Sequence, residues 1–146
     1  ATSHGLESTI VGLIEAQPTL LRPGAIARAE IEGVVGALGV AHDHTDAPHS
    51  PGRLKRHYAT VKPLRLDASS VAGDEALLAF GAPLSGAAVT LNLSAAGNLK
   101  EAAANLFAML RALDRADVRA IAVMAVPADG LGEAINDRLQ RAAVRE

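Results

Sequence analysis

The chain has 146 residues, 49% of them apolar, with 14 Lys and Arg against 16 Asp and Glu, a net charge of -2 and no cysteine. A chain of this length buries about 70% of its unfolded surface, enough for one domain with a real core. The composition excludes disulfide frameworks, thiolate metal sites and a cysteine nucleophile. Every apolar run is broken well before the roughly 20 residues of a membrane helix, so no membrane partner is expected.

Residues 8–14 read as a strand, 15–18 as its turn, and Thr19-Leu20-Leu21-Arg22 as the return, closed by Pro23-Gly24. Residues 26–38 place Ile31, Val34, Val35 and Leu38 on one face of a short amphipathic helix. A lone hairpin is marginal in water, so this zone has to lean on something else. Residues 40–60 are polar and carry Pro48, Pro51 and Gly52, the composition of an extended linker. From residue 61 an α/β rhythm sets in, with short buried strands over 61–66, 76–80, 88–93 and 120–126 and helices over 97–115 and 131–144. This order predicts an α/β, Rossmann-like unit with a mainly parallel sheet flanked by helices. No G-x-G-x-x-G follows a strand, so dinucleotide binding has no motif behind it.

Four groups of residues bear on chemistry. Glu7, Ser8 and Thr9 bring a carboxylate and two hydroxyls to the mouth of the first strand, where they suit a phosphate or a small zwitterion; hydroxyls also simply begin strands. Arg22, set before a proline and a glycine, is delivered across the hairpin beside Ser8 and Thr9, as an anion clamp or a solvated turn residue. His57 and Tyr58 follow Arg53, Lys55 and Arg56 in the linker, a segment able to fold over a phosphate-bearing ligand or to stay a solvated basic loop. His42, His44 and His49 with Asp43 and Asp46 imitate a metal cluster, but their proline-bearing linker supplies no second shell, and no metal ligand is assigned. Arg138, Arg141 and Arg145 fall on one side of the last helix, where they offer an RNA-binding face or complement the helix dipole.

Taken in order, these motifs resemble the two-domain form of the YrdC/TsaC-like threonylcarbamoyl-AMP synthases. Glu7-Ser8-Thr9-Ile10-Val11 is similar to that family's E-S-T-V-V strand, Leu21-Arg22-Pro23-Gly24-Ala25-Ile26 to its L-R-P-G-A-I turn, and Pro51-Gly52 through His57-Tyr58-Ala59 to its P-G-x-x-x-x-H-Y-A-P linker. Asn105-Leu106-Phe107, Leu110 to Asp114 and Gly130 to Leu139 resemble its C-terminal domain. Gly12 stands where the family has Asp, and Thr60 where it has Pro.

The resemblance implies an enzyme that condenses L-threonine, bicarbonate and ATP into threonylcarbamoyl-adenylate and pyrophosphate, with Mg²⁺, for tRNA modification in the cytoplasm. It implies that Ser8 and Thr9 contact threonine, and that Arg22, His57 and Tyr58 contact ATP. Residues 1–39 would be the C-terminal remnant of an α+β YrdC-like catalytic domain, 40–60 the interdomain linker and 61–146 the C-terminal domain. The family's upstream basic and S-x-N motifs are not in this sequence, so the chain is expected to be a fragment, inactive alone and open to self-association through its truncated domain. Residues 61–146 are expected to be its folded unit. A non-catalytic α/β module binding RNA or a partner domain is the alternative, and a carbamoyl-transfer enzyme of hydrogenase maturation a weaker third.

Overall fold

The computed structural model describes residues 5–13, 16–40 and 58–144. In chain order the elements are β1 (Ile10–Gly12), β2 (Thr19–Arg22), α1 (Arg28–Val35), β3 (Gly39–Val40), β4 (Leu64–Arg65), β5 (Glu75–Ala79), β6 (Val89–Asn92), α2 (Leu99–Asp114), β7 (Ala120–Val123) and α3 (Leu131–Ala143).

β1 and β2 form the expected antiparallel hairpin, with Ile10 opposite Arg22. The two-residue strand β3 then adds parallel to β2, pairing Gly39 with Thr19, across the boundary where the composition marks the start of a linker at residue 40. α1 is shorter than its apolar period suggests because Gly36 leaves the helix at φ 80°, a conformation that favours glycine. None of its residues is buried, and Val34 is 85% exposed. The stripe of Ile31, Val34 and Val35 therefore has no full cover among the described residues, whereas Leu38, just past the helix, is buried.

The second sheet is all parallel, in the order β4-β7-β5-β6. β5 and β7 are buried along their whole length, as near-continuous apolar strands of a covered parallel sheet should be. Alternation along them sends Ala76, Leu78, Ile121 and Val123 into the main core with Leu106, Leu110 and Leu113 of α2 and Ile135 and Leu139 of α3. The opposite face, bearing Leu77, Ala79 and Ala122, is covered by Ala68, Val71, Leu84 and Ala87 from the connecting loops. Both helices thus lie on one face of the sheet. α2 is capped by Asn98, whose Oδ1 accepts the backbone N–H groups of Lys100 and Glu101, two donors a helix start otherwise leaves unpaired.

The N-terminal residues are tied into this second unit. Leu6 is 1% exposed and belongs to the main core. Gly5, at φ 66°, presses so closely on α2 that a Cβ there would lie 2.5 Å from the Ala103 carbonyl oxygen. The Arg28 guanidinium at the start of α1 reaches the Glu133 carboxylate at the start of α3 at 2.7 Å. No described helix is long and apolar enough to cross a membrane.

Candidate functional site

The segment Glu7-Ser8-Thr9 is held by the Arg22-Pro23-Gly24 turn on one side and by α3 on the other. Arg22 is 9% exposed, and its Nε and Nη2 donate to the Ser8 carbonyl at 3.2 and 2.8 Å. The guanidinium thus lies beside Ser8, where the hairpin geometry predicts it, with part of its donor set committed to the backbone. The Thr9 hydroxyl donates to the Ile26 carbonyl at 2.7 Å and accepts from the Ile26 N–H at 3.0 Å. Its one proton is spent on bracing the turn. Ser8 is exposed between these two anchored residues. Gly24 lets the turn lie directly on the segment, and the Ala25 N–H donates to the Glu7 carbonyl at 2.9 Å.

Glu7 is the centre of the arrangement. Its carboxylate accepts the Tyr58 hydroxyl and, at 3.1 and 2.9 Å, Nε and Nη2 of Arg138. Arg138 has 0% exposure; its Nη1 donates to the Pro23 carbonyl at 3.0 Å and to the Asp137 carboxylate at 2.5 Å. The guanidinium carbon lies 5.5 Å from the centroid of the Tyr58 ring, within cation–π range, and that ring stacks on Phe107 of α2 at 5.2 Å. Asp137 in turn accepts Arg141 at 2.9 Å.

This corrects one reading of the sequence. Arg138 and Arg141 do not form an open RNA-binding face, because Arg138 is buried against Glu7 and Arg141 is half-buried on Asp137. Helical spacing places both on one side of α3 but says nothing of what covers that side. Arg145, His57 and the His42, His44 and His49 cluster lie outside the described residues. Of the residues singled out from sequence, Glu7, Ser8, Thr9, Arg22 and Tyr58 come together. Arg138, read from sequence in another role, and Phe107 join them, and both stand in the stretches that resemble the family's C-terminal domain.

The electrostatics follow from this geometry. Burial pushes the Glu7 carboxyl up, but the Tyr58 hydroxyl, a backbone amide and Arg138 together outweigh it and hold the group below its ordinary 4.5. Burial, then the bond to Glu7, raises the Tyr58 phenol above its ordinary 10.0. Arg138 is held firmly protonated, its desolvation outweighed by Glu7 and Asp137. A raised folded value means that the neutral phenol's contribution is complete below pH 10.0 and is lost as pH rises through the folded value. A lowered one means that Glu7 contributes above 4.5 and loses that contribution as pH falls through its folded value. Thermal stability is therefore expected to decline on the alkaline side as Tyr58 ionises. Tyr58 is the one tyrosine of the chain, so phenolate absorbance follows it directly. Tyr58→Phe should flatten this alkaline limb; an unchanged limb in that variant would refute the assignment.

A family model described as the threonylcarbamoyl-AMP synthase C-terminal domain matches residues 26–144. The chain belongs to that family. It is 31% identical to the threonylcarbamoyl-AMP synthase of Bacillus subtilis (strain 168), across 97% of this chain and 46% of that protein. It is 33% identical to the threonylcarbamoyl-AMP synthase of Pyrococcus abyssi (strain GE5 / Orsay), across 97% and 47%. Its fold is similar to the crystal structure of P. abyssi Sua5 complexed with L-threonine, with a TM-score of 0.83 at 29% identity over 97% of this chain and 47% of that one. It is also similar, with a TM-score of 0.79 at 27% identity over 97% of this chain and 46% of that one, to a P. abyssi Sua5 in which a consecutive His and Tyr are both replaced by Ala. The chain spans about half the length of the curated threonylcarbamoyl-AMP synthases it matches.

Proposed function

We propose that this chain is the C-terminal half of an L-threonylcarbamoyladenylate synthase, which joins L-threonine, bicarbonate and ATP into threonylcarbamoyl-AMP and pyrophosphate for tRNA modification in the cytoplasm. The observation that carries the reading is the match over 97% of the chain to synthases so named, together with a TM-score of 0.83 to a relative holding L-threonine. In this reading residues 1–39 end the catalytic domain, 40–60 link it to the next and 61–146 form the C-terminal domain. The apolar stripe of α1, with Val34 85% exposed, supports a further body of protein over the N-terminal zone. That body would be the upstream half which the relatives' greater length implies.

The residue roles rest on the family resemblance, and the chemistry suits them. Attack of the threonine carbamate on the α-phosphate gathers negative charge on the phosphate oxygens, so the site has mainly to position anions and offset their charge. Ser8, exposed between two anchored neighbours, would present its hydroxyl to threonine, and Thr9 would hold the strand in place beside it. Arg22, together with His57 and Tyr58 of the linker, would serve the ATP side. Mg²⁺ would accompany the nucleotide, as the family resemblance implies. No group of three potential ligands exists among the described residues, and the Glu7 carboxylate is engaged by Tyr58 and Arg138. Contact with tRNA would lie elsewhere than on Arg138.

The full-length protein should release pyrophosphate from ATP only when L-threonine and bicarbonate are both present, and the 146-residue chain alone should release none. Threonine-independent release, or none from the full-length protein, would overturn the reading.

A further inference from the structure

Arg138 is the largest fully buried side chain among the described residues and the meeting point of three segments distant in sequence. Its donors reach Glu7, before the strand β1; Pro23, in the turn after β2; and Asp137, its own neighbour on α3. Its guanidinium carbon lies 5.5 Å from the ring centroid of Tyr58, the first residue described after position 40. An arginine taken wholly out of water is costly unless its donors are satisfied in good geometry, and here Nε, Nη1 and Nη2 all are. A group with 0% exposure touches no substrate. Whatever it contributes to chemistry it contributes through the residues it holds.

We propose that Arg138 is a positioning residue through which the C-terminal domain holds Tyr58 and Glu7 together, and so sets where the interdomain linker meets the substrate-facing segment 7–9. Only a guanidinium can do this. Its planar fork spans the Glu7 carboxylate and the Pro23 carbonyl at once and stacks on an aromatic face, whereas an ammonium is a compact point charge with neither property. The inference rests on the synthase reading for its catalytic consequence, because that reading makes segment 7–9 and Tyr58 substrate contacts.

The test uses the full-length protein and the variants Arg138→Lys, Glu7→Gln, Tyr58→Phe and Arg138→Lys with Tyr58→Phe. In hydrogen–deuterium exchange, Arg138→Lys should speed exchange over residues 58–60 while β5 and β7 keep their protection. Glu7→Gln should do the same, which keeps the test open should the lysine variant fold poorly. In kinetics, Arg138→Lys should lower kcat/KM for pyrophosphate release by roughly 10- to 100-fold, the scale on which misplaced reacting groups cost rate. Its combination with Tyr58→Phe should be no worse than the stronger single change, since residues acting as one unit are not additive. Fully additive losses, or unchanged exchange at 58–60, would overturn the proposal. A wild-type protein that makes no pyrophosphate would fail the synthase reading alone, because exchange still decides whether Arg138 holds Tyr58.

Discussion

Gly24→Ala should destabilise the chain by about 1–3 kcal/mol and, on the synthase proposal, weaken threonine binding by the full-length protein at least tenfold. A Cβ at this position would lie 2.4 Å from the Glu7 carbonyl oxygen, 2.5 Å from the Ser8 carbonyl carbon and 2.5 Å from the Thr9 nitrogen. All three are backbone atoms, so none can swing aside as the tip of a flexible side chain would. The turn and the segment would have to part by roughly 1 Å to reach ordinary contact distance, and overpacking of this kind costs about 1–3 kcal/mol. Parting them strains the Ala25 to Glu7 bond, the Thr9 brace on Ile26 and the Arg22 contact with Ser8, all of which cross the same gap. Denaturant unfolding of this chain and calorimetric titration of the full-length protein with L-threonine check the two halves. Wild-type values for both in Gly24→Ala would contradict the close approach.

Glu7→Ala should cost more than its own exposure suggests, on the order of 3 kcal/mol, the lower end of what breaking a buried ion pair costs. The Glu7 side chain is 35% exposed, so solvent screens its own charge and little of the loss arises there. The loss arises at Arg138, which has 0% exposure and would keep Asp137 as its one carboxylate partner among the described residues. Combining Glu7→Ala with Arg138→Met should recover part of the loss, because the second change removes the stranded charge and keeps an apolar side chain of similar length. A double variant less stable than Glu7→Ala would show that Arg138 is stabilising by its packing and its bond to Pro23 rather than through Glu7.

Local pattern made much of the molecule legible. The hairpin, the helices α2 and α3 and the parallel character of the second sheet follow from period and composition alone, because apolar spacing of two or 3.6 residues reports which face is buried whatever lies beyond it. The edges followed less well. The strand expected over 61–66 shrinks to Leu64–Arg65, where a residue has a neighbour in β7 to pair with. The strand β3 is two residues long, and a segment so short carries no period of its own. For α1 the apolar stripe is present in sequence yet has no full cover among the described residues, since amphipathicity states that a face needs burying and not what will bury it.

The candidate site divides the same way. The sequence by itself determined which groups reach the first strand's mouth: Ser8, Thr9 and Arg22 stand within one hairpin, and hairpin register brings Arg22 back beside Ser8. It also determined, through motif order, the family to which the chain belongs. Only the tertiary structure decided the partner of Glu7, which lies 131 positions away at Arg138, and turned a helix arginine read as an RNA-binding or dipole-complementing group into the buried link between three segments. Helical spacing specifies the direction in which a side chain points, whereas burial and pairing depend on which distant segment the core brings against it.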